Sequence, residues 1–211
     1  EVLCGYGRTG RPYAIAVFDS VPDMLTLGKG IASGYAPLAA TLVSEKIRDG
    51  IRSSSGKFVH GLTYSGTPSA TFIGLQVQEI MHKEGLFHRA AELETYLRGE
   101  LEQLAAKHDI IGEIRGRGFL FGVEFVADRN TRTPFAMDEC VTQKIVSKMM
   151  EAGVIVAPGV PLANHGHNGD HIQISPPLVS SKKELSHIVD ALGNALDWIE
   201  PQLAGQSTAA Q

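Results

Sequence analysis

The sequence predicts an α/β protein in two parts, and three observations carry that prediction. Short apolar runs at residues 24–27 and 37–43, bounded by Gly, Pro and polar residues, have the length of buried strands. From Thr67 to about His108 the pattern turns helical, with Leu93, Leu97, Leu101 and Leu104 on one face. Strand-like runs then return at residues 110–117 and 119–126 and alternate with amphipathic stretches.

Taken in order, residues 11–19 read as a short helix, since Tyr13, Ala16 and Val17 share a face. The strand at 24–27 ends in a Gly-rich turn, and the strand at 37–43 runs into Ser44, an N-cap for a helix to Ile51. Ser53, Ser54, Ser55 and Gly56 mark a loop. Thr67 or Ser69 caps a helix to Lys83, Gly85 punctuates it, and a second helix runs from Leu86 to about His108. We place the boundary between the two parts there, giving 1–84 and 85–211. In the second part, residues 138–152 predict a helix stopped by Gly153, 154–156 a strand, 158–170 a long loop, 171–175 a strand and 181–199 a closing helix. The tail after Pro201 is small and polar and is expected to fray.

Composition narrows the function. A net charge of −4 without a basic run argues against a nucleic-acid partner. No apolar run approaches the roughly 20 residues a membrane span needs. Two cysteines, Cys4 and Cys140, make no disulfide framework and fit a reducing, cytoplasmic setting.

Lys29 stands out. It follows the apolar run and is surrounded by Gly28, Gly30, Ala32, Ser33 and Gly34. Glycines let a flat group approach the backbone, and a lysine desolvated there becomes a nucleophile. A surface lysine in a Gly-rich loop is the competing reading. Gly5, Gly7 and Gly10 form a GxGxxG, but a dinucleotide fingerprint needs a strand before it and an acid about 20 residues later. Asp23 lies only 13 residues beyond Gly10, and few apolar residues precede Gly5.

The ordered motifs EV at residues 1–2, GYGRTG at 5–10, PD at 22–23, GKG at 28–30, GYAPL at 34–38, HGLTYSGTP at 60–68, RGRG at 115–118 and PP at 176–177 resemble the class III aminotransferases. The resemblance implies the pyridoxal-phosphate (PLP)-dependent transferase type I fold, as a partial large domain at 1–84 and an α+β small domain at 85–211. It implies that the chain is the C-terminal half of such an enzyme, with a missing N-terminal half as its partner. That half would hold the phosphate cup, and the aspartate for the pyridine nitrogen would directly precede Glu1.

Several roles follow from the resemblance. Lys29 would form the Schiff-base link to PLP and later carry the proton between substrate and cofactor. Val2 would pack on the cofactor ring. Thr63, with the Leu62 backbone, would bind the phosphate of a neighbouring subunit, which makes a homodimer the active unit. Arg8 would be structural. The implied function is ping-pong transfer of an amino group from an amine or β- or ω-amino acid to a keto acid. Racemase, decarboxylase or aminomutase chemistry on the same fold is the alternative, as is a non-catalytic fragment.

The chain departs from the family where many members hold a substrate carboxylate with arginine. Gln173 and about Ala157 stand at those positions. His165, His167, Asp170 and His171 invite a metal reading, but a Gly-rich loop does not fix ligands in zinc geometry. We expect no metal and a polar loop at the substrate entrance.

Overall fold

The MLTL run becomes strand β1, Met24–Leu27, in a computed structural model of the chain that describes residues 1–161 and 169–207. It pairs antiparallel with β2, Ala40–Val43, from Met24 opposite Val43 to Leu27 opposite Ala40. Helix α1, Glu45–Ser53, starts at Ser44, whose hydroxyl accepts the Ile47 N–H at 3.5 Å. That hydroxyl donates to Asp23 at 3.0 Å, and Lys46 reaches the same carboxylate at 2.9 Å. The Lys46 and Ser44 hydrogen bonds hold the Asp23 carboxyl below its ordinary range and pin the helix start to the start of β1.

Helix α2, Pro68–Lys83, carries Pro at its first position and buries Gly74, Val77 and Met81 along one face. Gly85, with φ of 66°, separates it from α3, Leu86–Ala105. The chain divides into two units, Glu1–Ala91 and Glu92–Gln211, and the division falls inside α3. In the first unit the expected helix at 11–19 is only a 3-10 turn, Ala14–Phe18. The Glu1 carboxylate caps it, accepting the N–H groups of Ala14 at 2.6 Å and Ile15 at 2.8 Å.

The second unit is built on an antiparallel sheet of order β3-β4-β6-β5, comprising β3 Ile111–Arg117, β4 Leu120–Phe125, β5 Ala157–Pro158 and β6 Asp170–Ile174. Alternation along β4 buries Phe121, Val123 and Phe125 completely, and Ile172 and Ile174 on β6 join them. Helix α4, Val141–Glu151, packs on β5, β6 and α5, Lys182–Ser207. Ser181 and Glu184 form a reciprocal cap at the start of α5. Ser181 donates through its N–H and hydroxyl at 2.7 Å each, and the Glu184 N–H returns a bond at 3.3 Å. These bonds from Ser181 lower the Glu184 carboxyl pKa.

Three expectations are corrected here. The helix at 138–152 is split into a 3-10 turn, Met137–Glu139, and α4, with Cys140 between them at φ of 49°. Asp170, far along the chain, accepts the Thr142 N–H at 2.9 Å and so sets where α4 begins. Residues 154–156 are not a strand. Gly153 and Val154 donate back to Met150 and Met149 in a Schellman cap, so pairing starts at Ala157. The closing helix does not stop before Pro201 but passes through it to Ser207, giving up one backbone donor.

Candidate functional site

The site grows from the end of β1. The backbone of Glu1 donates to the Thr26 carbonyl, so the first residues run beside β1 and bring Val2 to Gly28. A Cβ on Gly28 would lie 3.3 Å from the Val2 side chain. Lys29 opens a 3-10 turn, Lys29–Ile31, with the left-handed φ of 41° that lysine rarely adopts. Ile31 N–H donates to Gly28 at 3.0 Å and Ala32 N–H to Lys29 at 3.3 Å. A Cβ on Gly30 would sit 3.0 Å from Tyr6, so the turn rests on that ring.

Tyr6 is itself held. Its N–H donates to Pro12 at 2.8 Å, and its ring meets Tyr13 edge-on at 6.1 Å between centroids. Burial, with a smaller contribution from Tyr13, pushes the phenol up to about 12. Burial also lowers the Arg8 guanidinium from its usual value. On another side of the turn, Gln78 of α2 donates to the Ile31 carbonyl at 3.0 Å. One helical turn earlier, a Cβ on Gly74 would come 2.5 Å from Leu38.

Lys29 and Val2 are therefore neighbours. The Lys29 side chain is exposed, so the described residues do not supply the desolvation expected of it. Its amine has no hydrogen-bond or ion-pair partner among the described residues. Val2 is also exposed, at 45%. An exposed primary amine at a fixed turn, with an apolar side chain next to that turn, can react with an electrophilic carbonyl compound. Glu1 is committed to its cap and is not available as a partner for such a ring.

Thr63 and Leu62 lie in an exposed segment before α2, where the Leu62 N–H donates to the Ser65 hydroxyl at 3.2 Å. In the second unit Gln173 sits between Gly122 and Ala157 across the sheet and donates to the Ser175 hydroxyl at 3.2 Å. His165 and His167 lie outside the described residues. Asp170 is engaged in capping α4 through Thr142. His171 Nδ1 lies 3.0 Å from the Gly169 carbonyl. Among the described residues no cluster of His, Cys, Asp or Glu could hold a metal, and no helix is long and apolar enough to cross a membrane.

Sequence reasoning missed Tyr6 and Gln78. The signal for Gln78 was available: it falls four residues after Gly74, on the face of α2 that is buried.

A family model described as aminotransferase class-III matches residues 1–196. An uncharacterized aminotransferase of Bacillus subtilis, YodT, is 38% identical over 203 residues, which covers 96% of this chain and 46% of that protein. A transaminase structure from the marine bacterium Virgibacillus aligns with a TM-score of 0.89 at 31% identity, over 96% of this chain and 45% of the other. A PLP-bound amine transaminase from an uncultivated Pseudomonas species aligns with a TM-score of 0.85 at 34% identity, over 93% and 43%. The chain thus spans about half the length of the curated relative and of the solved structures it matches.

Proposed function

This chain belongs to the class III aminotransferase family, and we propose that it forms the part of a PLP-dependent transaminase that carries the cofactor lysine. The observation behind this reading is the Lys29 turn: a lysine at positive φ next to Gly28 and Val2, its amine without a partner among the described residues. Bound PLP supplies an aldehyde that condenses with amines and a ring that accepts an electron pair. Lys29 Nζ holds the cofactor and, once displaced, moves the proton at the substrate carbon. Val2 covers one face of the ring, and the bare backbone at Gly28 and Gly30 lets Val2 and Tyr6 close on the turn that carries Lys29.

Thr63 Oγ1, with the Leu62 backbone, serves the cofactor phosphate of a second copy. Their exposure within this chain supports donation across a homodimer. The active assembly includes the N-terminal half and is cytoplasmic, in keeping with two free cysteines. Its substrates are an amine or a β- or ω-amino acid and a keto acid, exchanged in a ping-pong cycle. Gln173 in place of an arginine weakens an ornithine- or GABA-type donor.

Product analysis on the whole native polypeptide with PLP tests this. Oxidation of the donor to a carbonyl compound, with an equal amount of amine appearing on the keto acid, is expected. Retained amine with altered stereochemistry, or release of carbon dioxide, would replace transfer by racemase or decarboxylase chemistry.

A further inference from the structure

A lysine at φ of 41° is strained, and such a conformation persists only where its surroundings over-determine it. The turn that holds Lys29 is fixed by Val2 at Gly28, by the Tyr6 ring at Gly30, and by Gln78 at Ile31. The first two contacts are apolar. Only the third is directional, a side-chain amide donating 3.0 Å to a partly buried carbonyl.

Gln78 can reach that carbonyl because Gly74, one turn earlier on α2, carries no side chain. The Cβ it lacks would lie 3.5 Å from the same Ile31 oxygen and 2.5 Å from Leu38. Gly74 thus lets the helix approach, and Gln78 occupies the contact this creates. A carbonyl at that depth without a donor loses its bond to water and gains none in return.

We infer that Gln78 is a positioning residue for Lys29: its hydrogen bond to the Ile31 carbonyl holds the turn that aims the lysine amine. The inference rests on the reading of Lys29 as the cofactor lysine. Gln78→Met keeps the length of the side chain and removes the donor. Gln78→Glu keeps the shape and sets a carboxylate against the carbonyl.

The test uses the whole native polypeptide. Three quantities are read: amide exchange of residues 29–35 without cofactor, the rate of borohydride-trapped PLP labelling at Lys29, and the thermal midpoint. For Gln78→Met, exchange in 29–35 should quicken and labelling slow, each by roughly three- to tenfold. The change should be larger for Gln78→Glu, with exchange in α1 and the thermal midpoint unaltered.

Wild-type exchange and labelling in both variants would overturn the inference. So would faster exchange spread evenly over residues 1–91, which would make Gln78 a general stabiliser. If PLP does not label Lys29 in the wild type, the lysine reading fails and the positioning role falls with it. Exchange in 29–35 then reports separately whether Gln78 holds the turn.

Discussion

The two units bury their apolar side chains to very different degrees. In Glu92–Gln211, Phe119, Phe121, Val123, Phe125, Ile145 and Leu192 are all completely buried. In Glu1–Ala91, Leu27, Ala32, Val77 and Met81 are buried, but Met24 is 56% exposed, Phe72 62% and Phe58 73%. The second unit closes a core between a four-stranded sheet and its helices. The first has a two-stranded sheet. Lys29 belongs to the first unit, where the contacts this chain supplies to its turn come from Val2, the Tyr6 ring and Gln78.

The sharpest way to break this comparison is to cut the same side chain in each unit. Phe121→Ala should destabilise the second unit by about 3–5 kcal/mol, as large-to-small core changes do. Phe72→Ala in this chain alone should cost no more than ~0.5 kcal/mol, as expected of an exposed site. Denaturant unfolding monitored by exchange in each unit measures both. Equal losses would mean the first unit packs as tightly as the second.

A smaller effect is expected at Tyr6. Its phenol is raised to about 12 in the folded chain against 10.0 unfolded, chiefly by burial. Keeping it neutral adds stability that is fully present below about pH 10 and is lost as pH rises towards 12. Absorbance titration should show one tyrosine ionising last, and Tyr6→Phe should remove that late step. If the step survives the substitution, the Tyr6 support beneath Gly30 is looser than described.

The smallest effect sharpens the other side. Ser181→Ala should cost about 1 kcal/mol, a usual value for an N-cap side chain. The loss should be confined to exchange in the first turns of α5. No change at all would mean that packing, not the reciprocal cap, sets the start of that helix.

Local patterns made much of this readable in advance. The apolar run at 24–27, Ser44 as a cap and the β4 alternation all follow from residues close in sequence. What escaped depends on distant partners. The break at Cys140 is fixed by Asp170, and the hold on the Lys29 turn comes from Gln78, 47 positions beyond Ile31. Residues 154–156 misled because their valines are strand formers, while Gly153 commits Val154 to a helix cap.

The most direct test of Lys29 as the cofactor lysine is peptide mapping after borohydride reduction of the whole native polypeptide with PLP. Reduction fixes the cofactor on whichever lysine holds it. The account predicts one labelled peptide, the one containing Lys29, and no label in Lys29→Ala. Label spread over several lysines, or retained in Lys29→Ala, would contradict it.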